Sequence, residues 1–417
     1  MNDVRADVSE SGPERHAVTV ALDEPLAVTR REDFEKRIFF LSPHIVDFRT
    51  EVHDGSIRHV DLSLDEPVEA AELRRLLSKL ARQVGLLADA AGDERVWAAR
   101  RHCDDFYDAY LQLRNRGLAI PTGEGLVALG KPIFQLVDAL DQLLVSLVHD
   151  RFRADEVRYP TLIPAATLAR AGYMSSFPHH LMFAARLRND DSTYEEFRTR
   201  LDRDGLDGAL MRHYGGEVEY CLPPTMCYHV YQQLRGSTID AETGVVVTTV
   251  GKSFRFESHY ATSLERLWDF TVREVVFIGT KDFALACRAE LMDAVYGLVD
   301  DLGLAGICVV ANDPFFMDSS RDAAARIDMQ KSFELKYELR LPIARDTDLA
   351  GGSFNYHYDM LGRAFDLRLT TGRRASTACA GFGLERLALA FLSQHGLDAS
   401  RWPAAVTELL PSSYALS

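Results

Sequence analysis

Apolar positions along the chain change period several times, and each change marks an element. IVDFRTEVH and SIRHVDLSL both alternate with period two, on either side of Asp54-Gly55. Alternation flanking Asp-Gly predicts two strands joined by a tight hairpin. From Ala70 to Leu87 the period becomes helical, with Leu73, Leu76, Leu77 and Leu80 on one stripe. A second helix is predicted from about Glu94 to Arg116, carried by Trp97, Phe106, Tyr107, Tyr110 and Leu111. Residues 1 to 30 are polar, charged and aperiodic, and read as a flexible tail. Residues 31 to 115 are therefore expected to form a small accessory α+β domain.

Beyond residue 115, GEGLVALG predicts a short strand, and Pro132 opens a strong helix, PIFQLVDALDQLLVSLVHDRF. DEVRYPTLIP reads as an edge strand stopped by Pro160 and Pro164. Residues 188 to 214 are charged and partly helical, as expected of an exposed insertion. From Glu217 strands dominate. EVEYCLPPTMCYHVYQQL surrounds a double proline, GVVVTTVGKSFRFESH reads as a hairpin turning near Gly251, and ERLWDFTVREVVFIG reads as one strand. Lys281 to Leu302 is helical, and KYELRLPI and GGSFNYHYDMLGRAFDLRL are strands. TACAGFGLERLALAF closes the pattern with a strand end at Thr377 to Cys379, a turn at Gly381-Phe382-Gly383, and an amphipathic helix with Arg386 in its first turn. Antiparallel strands with helices inserted between them argue an α+β fold rather than a doubly wound parallel sheet, with residues 116 to 417 as the larger domain.

Composition narrows the class. The chain has 417 residues, 47% of them hydrophobic, and no apolar run of membrane-spanning length. Its N-terminus has no secretory apolar segment, so a cytoplasmic protein is expected. Six cysteines are dispersed without a compact framework, which points to buried, metal-binding or catalytic thiols. Net charge is -15, and residues 31 to 130 carry 14 Lys and Arg against 18 Asp and Glu. That balance disfavours a nucleic-acid grip.

Three groups carry candidate chemistry. In FRFE, Arg255 and Glu257 stand two apart on a predicted strand and share a face. Such a pair suits a phosphate or carboxylate clamp beside an amine-reading acid, and equally a cross-strand ion pair. Arg266, Phe270 and Glu274 recur every four residues and would share a strand face. Cys227 and Cys379 are either core thiols or, joined by a carboxylate, a three-ligand zinc site with an open fourth position.

Taken in order, these pieces resemble the class II aminoacyl-tRNA synthetases over about residues 118 to 417. FRFE followed by ERLWDFTVRE is similar to motif 2, GFGLERLALAF to motif 3, and the helix from Pro132 through the strand to Pro160 to motif 1. Within the class the strand sequences are closest to seryl enzymes. The paired cysteines resemble the zinc-dependent archaeal type, and above all its truncated bacterial relatives, the amino acid:carrier-protein ligases.

The resemblance implies roles. Arg255 would hold the ATP α-phosphate and the amino acid carboxylate, and Glu257 would meet the adenine amine. Phe270 and Arg386 would sandwich adenine, and Arg266 would lie along the triphosphate or the adenylate. Glu338 would help hold magnesium, with Asp348 as the nearest second acid. Asn355 lies on the strand expected to bind substrate. Cys227, Glu274 and Cys379 would hold zinc, whose open position takes the neutral amine of a small amino acid. Cys103, Cys221, Cys287 and Cys308 match no ligand position and read as core cysteines.

The implied activity is ATP-dependent formation of an aminoacyl-adenylate and transfer to the phosphopantetheine thiol of a small acidic carrier protein. Arg198, Arg200, Arg203 and Arg212 are the expected docking cations, and a homodimer through Pro132 to Pro164 is expected. A zinc-type seryl-tRNA synthetase acting on tRNA and a non-catalytic synthetase paralogue are the alternatives.

Overall fold

The computed structural model describes residues 16–86, 95–256, 263–311, 335–411 and 414. The chain divides into two compact units, Met1–Gly92 and Asp93–Ser417.

In the first unit, strands β1 (His16–Ala27), β2 (Ile45–His53) and β3 (Ser56–Leu64) form an antiparallel sheet in the order β1-β3-β2. The β2–β3 hairpin turns where expected. Asp54 (φ 49°) and Gly55 (φ 72°) are both left-handed, the backbone that a two-residue hairpin needs. Helices α1 (Arg31–Ile38) and α2 (Ala70–Leu86) belong to the same unit. Leu73, Leu77, Leu80 and Val84 of α2 bury one stripe in a core with Val60, Leu62 and Leu64 of β3.

Residues 16 to 27 are not a tail. Val18, Val20 and Leu22 alternate, and Val20 and Leu22 are buried as β1 pairs with β3. The division after Gly92 also differs from the boundary expected near residue 115, and the helix expected over 94 to 116 is broken. Arg95–Ala98 is strand β4, with Trp97 stacked on Tyr296 at 4.4 Å. Helix begins only at Ala109, where the Asp108 carboxylate accepts from the Leu111 N–H at 3.1 Å.

The second unit is built on an eight-stranded sheet. Its members are β4, β5 (Asp155–Glu156), β6 (Val245–Phe254), β7 (Asp269–Gly279), β8 (Ile307–Val310), β9 (Lys336–Ala344), β10 (Thr347–Tyr356) and β11 (Ser376–Gly383). Their order is β4-β8-β9-β10-β11-β7-β6-β5, and every pairing is antiparallel except the edge pair β6–β5. Helices α3 (Lys131–Phe152), α4 (Cys227–Gln233), α5 (Lys281–Asp301) and α6 (Leu384–His395) pack around it. The α+β expectation holds.

Pro132 sits in the first turn of α3, where the lack of an N–H costs nothing. Ile133, Leu136, Leu140, Leu144 and Val148 bury its inner stripe, each such burial contributing roughly 2 kcal/mol. They join a core with Leu291 and Val295 of α5 and with Val275, Phe277, Phe354, Ala378, Ala380 and Phe382 from one sheet face. Residues 188–214 are helical over Asp191–Asp204 and Gly208–Tyr214, capped by Asp190 and Asp207. Among the described residues no helix is long and apolar enough to cross a membrane.

Three further local expectations are corrected. The stretch through Gly251 does not turn: β6 is one ten-residue strand paired with β7 along its whole length. Likewise β11 runs on through Gly381, Phe382 and Gly383, because the ladder to β7 takes in all three and the ladder to β10 takes in Gly381 and Phe382. Arg266 is not on the strand. Leu264 and Leu267 are both buried at a turn's spacing, and β7 starts only at Asp269.

Candidate active site

Strand alternation sorts β7 into two faces. Arg273, Val275 and Phe277 point to the helix core, whereas Phe270, Glu274 and Val276 point to the other face. The register then writes rows across that second face. One row runs Glu338, Ser353, Gly381, Glu274, Thr249, and the next runs Lys336, Asn355, Cys379, Val276, Val247. Glu274 and Cys379 are thus diagonal neighbours on adjacent strands. Gly381 lies directly beside Glu274: a Cβ there would sit in ordinary contact, 3.5 Å from its Oε1.

The third member arrives from above. Residues Pro223 to Cys227 cross this face and are pinned to it at each step. The Pro223 carbonyl accepts from Phe254 N–H at 2.8 Å, and the Pro224 carbonyl accepts from Arg255 Nε at 3.0 Å. The Thr225 hydroxyl donates to Glu274 Oε1 and lies 3.9 Å from Cys227 Sγ. Met226 is seated on Gly251, where any Cβ would come within 2.6 Å of its methyl. Cys227 then opens α4 and faces Cys379.

Cys227, Glu274 and Cys379 are all buried, and their charges compete. Burial, then the negative charge of Cys379, pushes the Glu274 carboxyl up to about 8, with Arg255 opposing. The Cys227 thiol donates to Cys379, which holds Cys379 well below the usual thiol range and Cys227 well above it. Glu274 Oε2 has no hydrogen-bond partner among the described residues. A buried carboxylate oxygen with no donor, beside a shared-proton thiol pair, is a site short of positive charge. Among the described residues, however, no group of three or more His, Cys, Asp or Glu side chains stands in metal-holding geometry.

Around this cluster lie the expected nucleotide residues. Arg255 follows the last residue of β6, and its guanidinium lies 5.4 Å from the Phe270 ring centre. Arg386 is in the first turn of α6, donating from Nε to the Glu265 carbonyl at 2.7 Å and from Nη1 to the Ala350 carbonyl at 3.3 Å. Its neighbour Glu385 points the other way and accepts from the Thr271 N–H and hydroxyl at 2.8 to 2.9 Å, fixing the helix start on β7. Arg266 is half-buried in the turn after Ser263. Glu257 lies outside the described residues.

Glu338 and Asp348 reach the same face because of a bulge. The register slips between Leu339 and Arg340, at Gly351, and places Asp348 opposite Pro342. Arg340 then meets both acids, Glu338 at 3.7 Å and Asp348 at 3.8 Å, while Lys336 meets Glu338 at 3.0 Å. Asn355 donates to Cys379 Sγ at 3.7 Å.

Several residues at the site are missing from the expected set. Thr225 and His357 touch the cluster directly, the latter through Nε2 at 3.8 Å from Cys379 Sγ, with Nδ1 on Thr377 Oγ1 at 3.2 Å. His357 stands two residues after Asn355, so the period-two pattern carried its signal. His180 is buried beside Arg255 and His179; burial, then those charges, hold it neutral down to about 2. Of the cysteines read as core, Cys221 and Cys308 are buried, whereas Cys103 and Cys287 are only half-buried.

No family model matches the chain. It is 31% identical over 276 residues to amino acid–acyl-carrier-protein ligase 1 of Bradyrhizobium diazoefficiens, covering 66% of this chain and 81% of that protein. Ligase 2 of the same organism is 32% identical over 275 residues, covering 66% and 80%. The type-2 serine–tRNA ligase of Methanopyrus kandleri is 25% identical over 398 residues, covering 92% of this chain and 73% of that protein. Among solved structures, the seryl-tRNA synthetase of M. kandleri, crystallised with A. aeolicus tRNASec, matches 95% of this chain and 77% of its own at a TM-score of 0.70 and 23% identity.

Proposed function

The chain belongs to the amino acid–acyl-carrier-protein ligase family, and on that premise we propose that it activates a small amino acid with ATP and passes it to the phosphopantetheine thiol of a carrier protein in the cytoplasm. The observation that carries the proposal is the convergence of Cys227, Glu274 and Cys379 on the sheet face that also bears Phe270 and is bordered by Arg255 and Arg386.

In the first half-reaction the amino acid carboxylate attacks the α-phosphorus of ATP and pyrophosphate leaves. Arg255 would neutralise that phosphorus centre and orient the carboxylate. Phe270 and Arg386 offer a ring and a planar cation for adenine. In the second half-reaction the carrier thiol attacks the activated carbonyl and AMP leaves. Two thiolates and a carboxylate suit a zinc ion, and the partnerless Glu274 oxygen supports that fit. When bound, zinc would supply a fourth position for the neutral substrate amine. Glu338 and Asp348 are the acids that would hold magnesium, displacing Arg340. Asn355, beside Cys379, would meet the substrate. The helix and strand from Pro132 to Pro164 would form a two-fold dimer contact.

A second reading has its own support. The match to the carrier-protein ligases takes in two thirds of the chain, whereas the match to the archaeal tRNA ligase takes in 92%. Charging of tRNA is therefore the alternative. Incubation with ATP, labelled glycine, alanine or serine, and either holo-carrier protein or tRNA separates the two. Thioester-linked label on the carrier is expected; label on tRNA with none on the carrier overturns the proposal.

A further inference from the structure

A cleft of about 740 Å³ lies behind α4, lined by Arg170, Arg235, Arg363, Arg368 and Arg374 around a single acid, Asp366. Asp366 holds Arg374 and, at 3.1 Å, Arg368. Arg363 is tied to Asp359 at 2.7 Å. Neither Arg170 nor Arg235 meets a carboxylate among the described residues. This is a concentrated positive field in a chain whose net charge is -15.

Its place matters as much as its charge. Gln232 lines the cleft and shares α4 with Cys227, a helix only about 10 Å long at 1.5 Å per residue. Arg363 follows His357 by six residues, and Arg374 precedes Thr377 by three; His357 touches Cys379, and Thr377 touches His357. The cleft therefore shares α4 with Cys227, and two of its arginines lie within a few residues along the chain of His357 and Thr377, which stand beside Cys379.

We propose that this arginine cleft docks the acidic face of the carrier protein; the partner's identity rests on the function proposed above. Four of the five arginines are exposed, with Arg374 half-buried. An open depression of that kind suits carboxylates on a protein surface rather than a small anion, whose sites enclose most of the ligand. Nucleic-acid backbones call for an extended basic stripe, whereas the cleft lining is one compact group of five arginines. The insertion over 188–214 is the competing docking surface, with Arg198 and Arg212 exposed. Arg203 is paired with Asp204 at 2.7 Å, and Arg200 lies 3.9 Å from the same acid.

The test compares the native chain with Arg170→Glu/Arg235→Glu and with Arg198→Glu/Arg212→Glu, using a holo-carrier that the native chain labels. The cleft variant should raise the carrier KM roughly tenfold or more and flatten its salt dependence, with kcat and ATP–pyrophosphate exchange unchanged. Arg170→Lys/Arg235→Lys should restore most of the loss, and the insertion variant should behave as native. An unchanged carrier KM in the cleft variant overturns the inference while the proposed function stands. So does a cleft variant that loses binding to a short RNA duplex and keeps its carrier KM. If the native chain labels no carrier at all, the proposed function fails and the inference fails with it.

Discussion

Arg273 and Glu274 are adjacent on β7 and both are buried, yet they lie on opposite faces and in opposite electrostatic states. Arg273, 0% exposed, is satisfied. It donates to both oxygens of Asp141 at 2.7 and 2.6 Å, to Glu156 at 3.2 Å and to Thr248 at 3.3 Å, tying the sheet to α3 and to the edge strand. Glu274, 4% exposed, has a neutral hydroxyl on Oε1, no hydrogen-bond partner on Oε2 among the described residues and a thiolate nearby, and Arg255 with the backbone N–H groups of Cys227 and Met226 only partly offsets its burial. A buried charge with a full set of partners holds architecture together. One kept short of counter-charge holds a place for something to bind. His180 is a third solution: a buried titratable group that stays neutral.

The comparison breaks most visibly at Glu274 and Cys379. Glu274→Gln or Cys379→Ser should lose bound zinc and cut amino-acid-dependent ATP–pyrophosphate exchange by roughly 100-fold or more, with unfolding midpoints close to native. Elemental analysis and exchange assays check this; retention of both metal and exchange refutes the zinc assignment.

Arg273→Ala should do the reverse. It leaves Asp141 without its partner and should destabilise the fold by about 3 kcal/mol, read in urea unfolding, with metal affinity retained in the folded fraction. Loss of metal at unchanged stability would mean that the two faces are not separate.

The smallest effect belongs to His180. Its value falls from 6.5 unfolded to about 2 folded, so the unfolded chain binds the extra proton. Stability is therefore present above pH 6.5 and lost as pH falls, by about 2 kcal/mol between pH 6.5 and 4.5. His180→Gln should flatten that part of the stability profile, and an unchanged slope would place the acid sensitivity elsewhere.

Periodicity made much of this legible. The β2–β3 hairpin, α2, α3 and α5 follow from alternation or helical spacing together with Asp-Gly and Pro132. The family resemblance joined Glu274 to Cys227 and Cys379, two cysteines that spacing alone left as either core thiols or zinc ligands. What the chain's one-dimensional pattern could not settle were features depending on neighbours far away in sequence. Residues 16–27 look like a polar tail until β3 supplies the partner that buries Val20 and Leu22. Gly381 and Gly383 look like a turn because glycine marks turns, but β7 pairs with both and β10 with Gly381, which keeps them extended. Asp348 reaches the Glu338 face only through the bulge at Gly351.

The sequence by itself determined the alternation that sends Glu274 one way and Arg273 the other, because side-chain direction along a strand is local geometry. Only the tertiary structure decided that Glu274 would sit diagonal to Cys379 and beneath Thr225 and Cys227, while Arg273 met Asp141. Register and crossing segments set those partners, and partners, not residue type, determine what a buried charge costs and what it does.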